Sequence, residues 1–285
     1  MSDDLLRSIP RIKRARAWRL YTQDNRRLVD LWQCGGKALL GHKAPHVISE
    51  LKNSAEKGLC AQFGSVYELR LIKVLLCLFP GKIFRMYQDR YSLNKTLCEL
   101  SKTRGNEGLS LENCAFWRPF LDEKEPFSLK TAQFETEKAA LDKNNPFIVL
   151  LPFPLVPEIL VLDPSLAQVI GSSDIISPLI LAGTLRAAHD LRANSERGIC
   201  RFQKILRALG ERGDKTSSAG PSSSLWQRQG IYLYRKSKTC DYPALFRQFL
   251  EAGFLLPPSA DQALILPGEL SAGEEAKLAS LLSES

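Results

Sequence analysis

Two short apolar runs, residues 147–151 and 159–162, constrain the fold of this chain more than any other feature. Each is continuous in Phe, Ile, Val and Leu, and the pair is bounded by Pro146, Pro152, Pro157 and Pro164. Uninterrupted apolar runs of this length are strands covered on both faces. Around them the spacing predicts helices. One runs from about Pro45 to Lys57 and stops at Gly58. A second, 65–78, places Leu69, Ile72, Leu76 and Phe79 on one face and ends at Pro80-Gly81. Residues 83–88 read as a strand, 93–102 as a helix and 178–209 as a long helical stretch. Nearer the start, residues 18–32 form a hairpin turning at Asp24-Asn25. Near the end, 230–234 is a strand and 242–252 a helix closed by Gly253. Residues 103–145 are polar and carry no readable pattern. Residues 211–224, rich in Gly, Ser, Asp and Lys, are a linker.

Strands alternating with helices, then a linker and a compact tail, predict an α/β protein with a large domain and a small α+β C-terminal one. The expected limits are 1–44 for a basic segment and hairpin, 45–210 for the large domain and 225–285 for the small one. At 285 residues, 44% hydrophobic and 25% charged, the composition is that of a globular chain with a sizeable core. The acidic start, Met1-Ser2-Asp3-Asp4, has no signal-peptide core. Residues 146–162 are too short, and too interrupted by proline and Glu158, to span a bilayer. Seven scattered cysteines without a Cys-x-x-Cys pair read as reduced thiols, so the expected compartment is cytoplasmic. His42 and His46 have the spacing of a helical metal pair, but Gly41 and Pro45 preclude a helix there, and no metal site is expected. Residues 1–27 hold eight basic side chains against three acidic ones, five of the chain's eight net positive charges. Such an arm can bind nucleic acid. With only Trp18 and Tyr21 able to stack on bases, a solvated face is the simpler reading, and nucleic acid is not an expected partner.

Four separated segments share a further property. They are Leu20-Tyr21-Thr22-Gln23-Asp24-Asn25-Arg26-Arg27-Leu28-Val29-Asp30-Leu31-Trp32, Leu39-Leu40-Gly41-His42-Lys43-Ala44-Pro45-His46-Val47, Leu78-Phe79-Pro80-Gly81 and Gly253-Phe254-Leu255-Leu256-Pro257-Pro258-Ser259. In this order they resemble motifs of the class-III pyridoxal-phosphate aminotransferases, the tail looking most like the glutamate-1-semialdehyde aminomutase branch. The resemblance implies a pyridoxal-phosphate-transferase fold with a mostly parallel sheet, a cytoplasmic enzyme, and a homodimer or an association with a related subunit.

The same resemblance implies a degenerate, shortened member. Residues 157–164 resemble the strand and loop that carry the family's Schiff-base lysine, and Pro164 stands in the lysine's place. No lysine occurs between Lys143 and Lys204. The turn that cups the cofactor phosphate falls on Asp89, Arg90 and Tyr91, where a carboxylate repels a phosphate. Leu150-Leu151-Pro152 replaces a Val-Glu-Pro strand end, and the segment holding the ring-nitrogen aspartate is missing. Ser173 matches a hydroxyl that reaches the partner subunit's phosphate. No catalytic residue and no cofactor are therefore expected, and Asp89 and Pro164 should open onto one crevice. The first functional reading is a pseudoenzyme serving as a binding or interaction scaffold. The second is an active aminotransferase or aminomutase using a displaced lysine (Lys95, Lys102 or Lys204) with pyridoxal phosphate. The third is a basic nucleic-acid or anion binder. A P-loop at 36–43 fails because Lys43 is followed by Ala44, and no Gly-x-Ser-x-Gly elbow exists. His189 and Asp190 diverge on their helix by about 100° and make no acid–base pair.

Overall fold

The computed structural model describes residues 2–104, 110–111, 114–127, 145–198, 200–210, 225–236 and 241–284. Its first elements are α1 (Ser2–Arg7), β1 (Ile12–Arg16), β2 (Arg19–Thr22), β3 (Arg27–Asp30), α2 (Pro45–Glu56) and α3 (Val66–Leu78). Next come β4 (Ile83–Tyr87), α4 (Arg90–Arg104), β5 (Ala115–Trp117), β6 (Phe147–Val149), β7 (Glu158–Leu162), α5 (Pro164–Ala167) and α6 (Pro178–Ala193). The last are α7 (Gln203–Ala208), β8 (Trp226–Gln229), β9 (Tyr232–Arg235), α8 (Tyr242–Glu251), β10 (Phe254–Leu255), β11 (Leu264–Ile265) and α9 (Ala272–Glu284).

The chain folds as two units. One comprises Met1–Lys43, Asp122–Lys124 and Glu196–Ser285, the other Ala44–Leu121 and Glu125–Ser195. The basic N-terminal segment is therefore not a body of its own. Its strand β3 pairs in parallel with β10, Val29 opposite Phe254. Residues 196–210, expected in the large domain, belong instead with the terminal unit. The expected linker, 211–224, lies outside the described residues.

In the first unit the sheet order is β1-β2-β3-β10. Its β2–β3 turn holds Asn25 at φ 63°, a left-handed conformation that asparagine tolerates. A second, antiparallel sheet has the order β11-β9-β8. The strand expected from Gly230 begins only at Tyr232, because Gly230 (φ 59°) is the turn of the β8–β9 hairpin. Helix α9 opens with a capping box, Ser271 N donating to Glu274 Oε2 (2.8 Å) and Glu274 N to Ser271 Oγ (3.3 Å). Glu274 also accepts from Arg19 Nη2 at 2.8 Å. Burial alone would raise its carboxyl. The Arg19 and Ser271 hydrogen bonds outweigh that and hold it down at about 2.

The second unit is built on a sheet of order β4-β7-β6-β5. Strand β7 is antiparallel to both neighbours, and β5 is parallel to β6, so the sheet is mixed and not mostly parallel. The physical reason is the connector: residues 150–157 leave eight positions between β6 and β7. A parallel return needs a dozen or more. All five residues of β7 are buried. Leu160 and Leu162 pack with Leu93, Leu97 and Leu100 of α4. Phe79 meets Trp117 edge-on at 4.9 Å and Phe147 at 5.4 Å. Helix α3 buries Tyr67, Leu71, Val74 and Leu75, whereas Leu69 and Leu76 are exposed, so the buried stripe is rotated from the expected one. The long helical stretch after Pro178 stops at Asn194, whose amide donates to Asp190 O at 2.7 Å; a single 3-10 turn, Ser195–Gly198, follows before α7.

Candidate functional site

Strands β4, β5 and β6 point the same way, since β7 opposes both β4 and β6 and β5 parallels β6. Their C-terminal ends thus form one edge of the sheet, where α/β folds place ligands. Gln88–Tyr91 follow β4 there, Arg118 follows β5 and residues 150–153 follow β6. Pro164 does not reach this edge. It follows β7, whose end pairs with the beginnings of β4 (Leu162 with Ile83) and β6 (Val161 with Phe147). Asp89 and Pro164 therefore lie at opposite ends of the sheet and share no crevice. A short loop between antiparallel strands makes any other outcome impossible.

Asp89 caps α4, its Oδ1 accepting from Ser92 N at 2.8 Å. An amide that a helix start could offer an anion is given to the chain's own carboxylate. Arg90 lies back along the β4–β7 ladder, with Nε 3.6 Å from Glu158 Oε1. Tyr91 is 80% exposed. Ser173 stitches the free side of β4, its Oγ accepting from Met86 N at 3.1 Å. The next residue continues the seam: Asp174 N donates to Met86 O (2.9 Å) and its Oδ2 accepts from Gln88 N (3.0 Å).

After β6 the edge is apolar and filled. Leu151 and Phe153 are buried. The Phe153 ring lies in a notch left by Gly183 of α6, where a Cβ would come within 2.8 Å of Cζ. Sequence reasoning passed over this contact. Its signal was a glycine inside a helix, which costs about 1 kcal/mol against alanine unless a close approach requires it. Among the described residues at this edge no side chain carries an amine. Lys95 and Lys102 are exposed on α4 and Lys204 is exposed on α7. Lys82 stands at the opposite edge, 3.5 Å from Asp163.

The first unit holds a polar cluster that the sequence did not announce. Asp30 is only 1% exposed. Its Oδ1 accepts from Trp32 N and Gln33 N, both at 2.8 Å, and its Oδ2 lies 2.7 Å from His42 Nε2. The amides come from a left-handed turn, Gln33 at φ 50° and Cys34 at φ 52°. Burial pushes the Cys34 thiol up to about 11, and Asp30 adds to the rise, so it is an inert thiol at neutral pH. Arg197 lies over the Trp18 ring at 5.3 Å and donates to Leu39 O and Leu266 O. Burial pushes its guanidinium down to about 10. Among the described residues no His, Cys, Asp and Glu side chains cluster as a metal site, and no helix is long and apolar enough to cross a membrane.

Comparison with solved structures accounts for this architecture. Ornithine aminotransferase from Plasmodium yoelii superposes with a TM-score of 0.66 at 14% identity, over 100% of this chain and 98% of that one. This is the fold of the class-III aminotransferases. An omega-transaminase from Sphaerobacter thermophilus superposes at 0.63 and 9% identity, over 96% and 90% of the two chains. For acetylornithine aminotransferase from Elizabethkingia anophelis the values are 0.57 and 12%, over 96% and 92%. The likeness reaches the family fold and singles out no branch, aminomutase included. No protein-family model matches the chain. In sequence it is 22% identical over 298 residues to an uncharacterized protein of Treponema pallidum (strain Nichols), covering 93% of this chain and 91% of that protein. An uncharacterized protein of Borreliella burgdorferi is 24% identical over 274 residues, 95% of this chain and 89% of that one.

Proposed function

We propose that this chain is an aminotransferase-fold protein that has left Schiff-base chemistry and works as a binding or interaction scaffold. The observation that carries the reading is the strand edge itself. The residues there do not fit pyridoxal phosphate: no amine follows β6, and Asp89 occupies the helix start. After β6 stands Phe153, an aromatic ring packed against Gly183 of α6. Pro164 and the residues after β6 alike lie in the lysine-free interval between Lys143 and Lys204. The alternative of a displaced lysine has no support in the exposed placements of Lys95, Lys102 and Lys204. Protein mixed with pyridoxal phosphate, reduced with borohydride and desalted is expected to show no stoichiometric mass adduct. One lysine modified near full occupancy would refute the proposal.

The scaffold reading extends to a homodimer or an association with a related subunit. What supports it is an exposed apolar stripe on α3 and the loop before it: Phe63, Val66 (61% exposed), Leu69 (65%) and Leu76. Tyr67 and Leu71 belong to the core and would report folding instead. Light scattering is expected to give about twice the 31.9 kDa chain mass, as for a two-fold assembly. Replacing Val66 and Leu69 together by Asp should halve it without loss of helical signal. A monomeric wild type that recovers no related subunit on affinity purification would remove the support.

A further inference from the structure

Residues 7–16 carry five basic side chains, Arg7, Arg11, Lys13, Arg14 and Arg16, and no acidic one. Buried Leu5 anchors the preceding helix α1, so the stretch is fixed at its start. Four of the five lie on or beside β1, the outer strand of the sheet. All five are exposed. Among the described residues none is ion-paired with a carboxylate. Lys13 donates to Asn25 Oδ1 at 2.5 Å and feels the charge of nearby Asp24. The Arg14 guanidinium is held 4.3 Å over the Tyr21 ring. The neighbouring strands contrast with this: Arg19 of β2 pairs with Glu269 and Glu274, and Arg27 of β3 with Glu274. Charge on the inner strands is neutralised while charge on the outer strand is left open.

A charged outer strand also protects a sheet from unwanted pairing. Here a bulge between Ile12 and Arg14 already interrupts the register, which serves the same purpose. The bulge disfavours an added peptide strand as well, so the complementary partner is one that reads charge alone. Four of the five cations are arginines, whose planar fork matches phosphate oxygens. Alternate side chains on a strand stand about 6.6 Å apart, so Arg14 and Arg16 can meet successive charges of a flexible polyanion. The Arg14 guanidinium covers one face of the Tyr21 ring, a face that is thereby closed to a stacked base.

We propose that β1 and its flanking arginines form a sequence-independent binding surface for the phosphodiester backbone of nucleic acid. This is independent of the Schiff-base reading, and either can fail alone. The test uses the full-length protein with labelled single-stranded and duplex oligonucleotides, followed by fluorescence anisotropy. Five phosphate contacts give a log–log salt slope of about −3.5 on single strands and about −4.5 on duplex. Affinity should then fall about a hundred- to five-hundredfold between 50 and 200 mM salt. The triple variant Arg11→Gln/Arg14→Gln/Arg16→Gln should flatten the slope by about 2 to 3, while Lys52→Gln, an exposed cation on α2, leaves it unchanged. All four side chains are exposed, so unchanged melting temperatures verify the fold. No binding at 50 mM salt, an unchanged slope in the triple variant, or retention by phosphatidylglycerol vesicles without retention by oligonucleotides would each overturn the proposal.

Discussion

Replacing Asp30 by Ala is expected to lower folding stability by about 3–5 kcal/mol, the cost of removing a buried carboxylate on which three hydrogen bonds converge. The carboxylate is almost wholly inaccessible and accepts from Trp32 N, Gln33 N and His42 Nε2. Its loss leaves two amides and an imidazole without their acceptor, each carrying a desolvation cost of about 1–3 kcal/mol if no water enters. The two amides also hold a turn whose non-glycine residues, Gln33 and Cys34, are left-handed. Strain of about 1–3 kcal/mol per residue persists only where surroundings enforce it. Asp30→Asn keeps one carbonyl acceptor and should lose distinctly less than Asp30→Ala. Urea denaturation of the three proteins measures the series. A loss below about 1 kcal/mol for Asp30→Ala would mean that the turn is held by something other than this carboxylate.

The strands of the second unit were legible because apolar runs bounded by prolines admit few other readings, and 147–151 and 159–162 became β6 and β7. Their relative direction was legible too, in the eight residues between them. Matching residues 157–164 to a family motif ignored that constraint and put Pro164 at the wrong end of the sheet. Chain geometry is the stronger argument when the two disagree. Helix α3 formed where expected, and only its buried face was illegible, for a different reason. It is apolar nearly all round, so stripes through Leu69 and through Tyr67, Leu71 and Val74 fit the helical period equally well. Which one faces inward is decided by what it packs on, and no local pattern encodes that. Asp30 and His42 lie twelve positions apart and mutually explain their burial, yet neither belongs to a periodic stripe. The edge strand β1 is the converse case. Its charges were plain in the sequence, but that Arg19 and Arg27 on the neighbouring strands are ion-paired, while among the described residues no carboxylate pairs with those of β1, is visible only in the structure.

Truncating Phe153 to Ala should cost about 3–5 kcal/mol, as for other buried aromatic rings. The ring is 5% exposed and fits between Gly183 of α6 and Leu51 of α2. Gly183→Ala attacks the same contact from the other side. Its new Cβ would lie 2.8 Å from Phe153 Cζ and 3.0 Å from Leu51 Cδ2, so one of the three groups must shift. Overpacking of that kind costs about 1–3 kcal/mol. In a Phe153→Ala background the methyl enters vacated space and gains the helix preference of alanine over glycine, about 1 kcal/mol. The sign of the Gly183→Ala effect should therefore reverse between the two backgrounds. A double-mutant cycle from urea melts reads the coupling, expected between about 0.5 and 3 kcal/mol. Additive losses would show that the ring does not occupy the notch.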